Sequence, residues 1–128
     1  MPCSRRCVSA ALVFLPVLAA RAAAAQDRPS RVVDFGISDG KVFGPGIVGD
    51  ARGGPTFRVR QGERIELRWT SDRKVDVHIH GYGIEVTVPA GRPTSTMFQA
   101  RAAGRFPVET HGALGGHQTL LYIEVQPR

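Results

Sequence analysis

The stretch Arg64-Ile65-Glu66-Leu67-Arg68-Trp69-Thr70-Ser71-Asp72-Arg73-Lys74-Val75-Asp76-Val77-His78-Ile79-His80-Gly81 contains two runs of alternation separated by a polar turn. Ile65, Leu67 and Trp69 alternate with Glu66, Arg68 and Thr70. Successive side chains of an extended strand point to opposite faces, so this run reads as a strand with one buried and one solvated face. Ser71–Lys74 turns the chain. Val75, Val77 and Ile79 then alternate with Asp76, His78 and His80. The apolar set of this second strand should face a core, which turns both histidines outward.

The flanking sequence repeats the pattern. Arg31–Ser38 alternates around Val33, Phe35 and Ile37, and Thr56–Arg60 reads as a strand followed by the turn Gln61-Gly62-Glu63. Strands are expected at Ile84–Val88, at residues 94–100, at Gly104–Thr110 and at Thr119–Val125. Pro89-Ala90-Gly91 forms one of the turns between them. Residues 40–55 are rich in Gly and Pro and read as a long loop, and residues 112–117 as a glycine-rich loop. No long segment has helical periodicity. Short strands at this spacing, with turn signals between them, predict an all-β antiparallel sandwich of about seven to eight strands.

The chain has 128 residues. Its start has three parts: basic Arg5 and Arg6, an apolar run from Cys7 to Ala20, and the small residues Ala23-Ala24-Ala25. That series predicts a secretory signal cleaved after Ala25, leaving residues 26–128 as one exported, periplasmic domain that begins at Gln26. The apolar run is too short to span a bilayer comfortably. Three of the basic residues behind the formal charge of +6 (Arg5, Arg6 and Arg21) lie in this leader. The remaining mild excess, spread along the strands, does not argue for nucleic acid, and after cleavage no membrane segment is expected. Cys3 and Cys7 are the chain's cysteines, and both precede the predicted cleavage point. An exported domain without a disulfide must be held by its core, or by a metal.

Four histidines, His78, His80, His111 and His117, are the whole complement of the chain. In Gly104-Arg105-Phe106-Pro107-Val108-Glu109-Thr110-His111, strand alternation turns Phe106 and Val108 inward and Pro107, Glu109 and His111 outward. Histidine pairs of this kind are often plain polar surface. Their concentration in one part of the chain shifts the balance toward a metal. Asp76 is a candidate to orient a histidine, or a surface residue. His117, in Gly115-Gly116-His117, reads as a loop residue at the surface more than as a ligand, although it could close over a metal.

The order of a Gln-Gly-Glu turn, a histidine strand, a Pro-Ala-Gly turn, a Gly-aromatic strand, a histidine loop and a final strand resembles the cupredoxins over roughly residues 30–127. His78-Ile79-His80-Gly81 is similar to the His-x-His-Gly motif of multicopper oxidases. Gly104–His111 is similar to their Gly-x-aromatic-x-x-His-x-His motif, with Glu109 in place of the first histidine. The resemblance implies a cupredoxin-like β-sandwich with Greek-key connections, in which the strands carrying the two motifs lie side by side. His78, His80, Glu109 and His111 would then share one outer face.

A blue-copper site needs a thiolate, usually with two histidines and a weak axial methionine. On the cupredoxin pattern, Thr110 or a near neighbour stands where that cysteine would be, and no cysteine follows Cys7. Blue-copper electron transfer is therefore excluded for the cleaved chain. Imidazole and carboxylate remain, which favour Cu(II), with Zn(II) as the alternative. The leading expectation is a non-enzymatic periplasmic protein that sequesters or delivers Cu(II), with the metal ion as its ligand and another periplasmic copper-handling protein as a candidate partner. The alternatives are a single-domain copper oxidase or reductase acting as an oligomer, and a metal-free sandwich used as an interaction module. The sequence leaves the oligomeric state open.

Overall fold

The computed structural model describes residues 29–50, 53–111 and 116–128. The expected leader, its cleavage point and Gln26 lie outside the described residues. Ten strands follow in chain order: β1 (Arg31–Ser38), β2 (Lys41–Phe43), β3 (Ile47–Asp50), β4 (Gly54–Arg60), β5 (Arg64–Ser71), β6 (Val75–Ile79), β7 (Ile84–Val88), β8 (Thr94–Gln99), β9 (Gly104–His111) and β10 (His117–Gln126). They build two sheets, one ordered β2-β1-β5-β8 and the other β3-β4-β10-β9-β6-β7. Most neighbours are antiparallel, but β1 runs parallel to β5 and β4 parallel to β10. The strands expected from alternation are all present, and the architecture is the expected all-β sandwich.

The segment expected as one long loop instead carries β2 and β3. These short strands lie at the outer edges of the two sheets. Their glycines turn the chain sharply: Gly40 and Gly46 have φ of 70° and 75°. Edge strands this short need little apolar sequence, because each pairs on one side only.

The core lies between the sheets. Ile65, Leu67 and Trp69 of β5 are wholly buried, as are Val77 and Ile79 of β6, Val108 of β9 and Ile123 of β10. Phe35 bridges the layers, meeting Phe57 of the opposite sheet edge-on at 5.2 Å and Trp69 at 5.4 Å. The buried Trp69 indole N–H donates to the Thr96 hydroxyl at 3.0 Å, which meets the need of a buried polar group for a partner. In β10 the register shifts between Thr119 and Leu121. The bulge there lets Leu120 and Leu121, adjacent in sequence, both be buried.

Phe106, expected among the core residues, is only half-buried. Its ring stands 5.0 Å from that of Tyr82, which in turn lies 4.8 Å from Phe98. The three rings line a cleft of about 280 Å³ near β7 and β8, together with Ile84 and Met97. Phe106 lies near the start of β9, toward the end of the sandwich, and its ring meets this cleft rather than the full interior.

Candidate metal centre

Strand β6 is the element that turns the histidines out. Val77 and Ile79 are fully buried, and Asp76, His78 and His80 alternate with them on the solvent side. In β9 the same logic buries Val108 and Thr110 and leaves Pro107, Glu109 and His111 half-buried on the outer face. β6 and β9 are antiparallel neighbours. Their register pairs His78 with Glu109 and Asp76 with His111. The His80 N–H continues this ladder by donating to the Pro107 carbonyl at 3.0 Å. His78, His80, Glu109 and His111 therefore stand on one face of one sheet.

Gly81 ends the histidine strand at φ 81°, in the left-handed region that favours glycine. A Cβ there would also run into the Phe106 ring. The glycine of His78-Ile79-His80-Gly81 thus lets the chain turn immediately after the second imidazole, with an aromatic ring packed against the turn.

The side chains touch one another. His80 Nε2 and Glu109 Oε2 are 2.9 Å apart, and the His78 and His80 rings stack at 4.0 Å with their planes 38° apart. The His78 and His111 rings meet edge-on at 6.4 Å. Thr87 of β7 donates its hydroxyl to the Asp76 carboxylate. Cross-strand pairing on the other side of β6 sets Glu85 opposite His78.

One residue, His117, departs from the loop position expected for it. His117 opens β10 and pairs with His111, the two rings 4.5 Å apart, and its Nδ1 lies 3.6 Å from Glu109 Oε2. Two glycines precede it, and its place beside His111 comes from a non-local register, so alternation gave no signal for it. Thr110 keeps to the alternation expected of β9. Its side chain faces the interior and is buried, opposite Val77. Glu109, not Thr110, is therefore the residue that β9 offers to the histidine face.

Among the described residues, no three His, Cys, Asp or Glu side chains already converge as a ready-made metal cage. The imidazoles instead stack and pair with the carboxylate. Two features nonetheless suit a cation. His111 Nε2 is buried and has no hydrogen-bond partner, a state that costs free energy until some group meets it. Directly opposed residues of an antiparallel pair also have their Cβ atoms only about 4.5–5.5 Å apart. The register sets His78 directly opposite Glu109 and Asp76 directly opposite His111, so each of these pairs has its side chains within reach of one another. The donor set, imidazole with carboxylate, is that of Cu(II) or Zn(II) sites.

No family model matches the sequence, and no curated protein matches it. Solved structures do match. A chain of a heme-copper terminal oxidase dimer superposes with a TM-score of 0.57 at 18% identity, over 75% of this chain and 64% of that one. The present chain thus spans just under two thirds of that relative. The periplasmic domain of subunit II of the cytochrome oxidase (CoxB) of Bradyrhizobium japonicum superposes with a TM-score of 0.58 at 15% identity, over 78% of this chain and 86% of that one. A mixed-disulfide intermediate between the thioredoxin-like TlpA and subunit II of cytochrome c oxidase gives 0.55 at 12% identity, over 79% and 83%. At such identities the likeness carries the fold, and that fold is a cupredoxin-like β-sandwich.

Proposed function

We propose that this chain is an exported, periplasmic copper-binding protein. It holds Cu(II) through His78, His80 and His111, with Glu109 as a fourth ligand or as the group that orients an imidazole, and it sequesters or delivers the ion. The observation that carries this reading is the β6–β9 register, which gathers three imidazoles and a carboxylate on one outer face. The orphaned His111 Nε2 adds to it. Zn(II) is the competing ion, because it accepts the same donors. When bound, the metal would be a Lewis acid and a possible one-electron centre; the chain's own part is to supply neutral imidazoles at fixed spacing and a negative charge beside them.

The fold shared with a periplasmic domain of cytochrome oxidase subunit II supports the same compartment and a role in copper handling. The partner in such a role would be another periplasmic copper-handling protein. A mixed disulfide of the kind described for subunit II needs a cysteine, and here the cysteines are Cys3 and Cys7 of the expected leader. Transfer through this protein would therefore proceed by exchange of imidazole and carboxylate ligands. The stacked His78 and His80 rings favour a second reading, a metal-free interaction module.

Titration of the exported protein with Cu(II), with Zn(II) as competitor, tests the proposal. One equivalent should bind, and replacing both His78 and His80 by Ala should abolish stoichiometric binding. Retention of parent-like affinity by the double variant would move the site elsewhere. Absence of binding in the parent would leave the metal-free reading.

A further inference from the structure

We infer that His117 is a further ligand of the same centre, supplied by the first residue of β10. This rests on the copper-binding reading above. The outer face of the sheet brings donors from three neighbouring strands, and Glu109 of the central one, β9, is their hub. From the β6 side, His80 Nε2 stands 2.9 Å from Glu109 Oε2. From the β10 side, His117 Nδ1 stands 3.6 Å from the same oxygen. Donor atoms that each lie about 2 Å from one ion stand about 2.8–4 Å from one another, depending on the angle between them. Both separations fall in that window, so each nitrogen stands at a spacing from Oε2 that two ligands of one ion can have.

His117 is also fixed by its backbone. It pairs with His111 across the β9–β10 ladder, and the two rings are in edge-on contact at 4.5 Å. His111 carries the buried nitrogen without a hydrogen-bond partner. In the ladder this orphaned imidazole stands between Asp76 of β6 and a second imidazole, His117 of β10. The His117 side chain is 61% exposed, which leaves it free to swing without disturbing the core. A site built this way has an inner carboxylate, imidazoles on both flanks and one exposed ligand. Such a ligand can be replaced by an incoming donor, as delivery of the ion to a partner requires.

The test is Cu(II) titration of the exported protein against a chromophoric chelator, with paramagnetic resonance on the bound form to count coordinated nitrogens. Parent, His117→Ala, His117→Gln and the His78→Ala/His80→Ala double variant are compared, and far-UV circular dichroism of each metal-free protein checks the fold. Both His117 variants should bind Cu(II) at least tenfold more weakly than the parent. Their resonance spectra should show altered nitrogen hyperfine structure, and their metal-free fold should be unchanged. Parent-like affinity and spectrum in both variants would overturn the inference while leaving the copper reading intact. A parent that binds no Cu(II) overturns that reading and this inference together.

Discussion

His80 Nε2 lies 2.9 Å from Glu109 Oε2, although the residue that faces Glu109 across the β6–β9 ladder is His78. The contact is a diagonal one, reached because the His80 imidazole extends past the end of β6. Glu109 thus stands between an imidazole just past the end of β6 and one at the start of β10. A group in that position acts on a bound cation in two ways: it neutralises charge, and it holds a ring in place.

Glu109→Gln separates charge from shape, since the amide keeps the size and one acceptor oxygen. Loss of a ligand or of an orienting partner should weaken Cu(II) binding by about 10–100-fold. The metal-free protein should change little, because the contact is partly exposed and a hydrogen bond contributes only about 0.5–1.5 kcal/mol net. Chelator competition gives the first quantity and urea denaturation the second. Unchanged affinity would remove Glu109 from the site.

The core makes a graded prediction. Ile79 is wholly buried, so Ile79→Ala should cost about 2–5 kcal/mol. Phe106 is half-buried at the rim of the aromatic cleft, so Phe106→Ala should cost less than the roughly 3–5 kcal/mol typical of a fully buried phenylalanine. Phe35, buried between Phe57 and Trp69, should reach that range. Denaturation midpoints of the three variants check the order. A Phe106→Ala loss equal to that of Phe35→Ala would mean that the rim is packed as tightly as the centre.

What could be read from the sequence was whatever depends on alternation within one strand. Ile65, Leu67 and Trp69, or Val77 and Ile79, declare their inward face without knowledge of their neighbours, and the outward turn of His78 and His80 follows from the same rule. What depends on pairing between distant strands was not legible. The parallel partnerships of β1 with β5 and of β4 with β10 follow from crossovers, not from local pattern. The edge strands β2 and β3 were hidden among Gly and Pro. Phe106 has an inward-facing position in its strand, but its depth is set by where β9 starts relative to the cleft. The part played by His117 stayed open for the same physical reason: two glycines precede it, and the ladder to His111 places it on the face.

Tyr82 offers a prediction independent of metal. Burial at the aromatic cleft pushes its phenol above the usual value of 10.0, with Arg101 pulling partly the other way. The folded protein therefore keeps the phenolic proton over a range of pH in which the unfolded chain has released it. The unfolded state binds fewer protons there, so stability falls as pH rises through that range, and below it the contribution is constant. Absorbance titration of the phenolate band should show one late-ionising tyrosine in the parent and none in Tyr82→Phe. Stability at alkaline pH should also fall less steeply in the variant. An unchanged late component in Tyr82→Phe would assign it to another group.

The colour and pH response of the loaded protein discriminate among the copper chemistries. An intense blue band arises from a thiolate ligand, and the only cysteines, Cys3 and Cys7, precede the expected cleavage point. The exported protein loaded with Cu(II) should therefore be pale. Its resonance spectrum should show the wide copper splitting of a tetragonal nitrogen and oxygen site rather than the narrow splitting of a blue one. Protons and metal compete for the same imidazole nitrogens, so affinity should fall as the solution is acidified, and the ion should be released. With several imidazoles in the site, release should be steeper than a single proton allows, and the His78→Ala/His80→Ala variant should lose that steepness along with its binding. A strongly blue product would require a cysteine in the mature chain and so place cleavage upstream of Cys7. Acid-insensitive binding would replace the imidazoles by carboxylates as the principal donors.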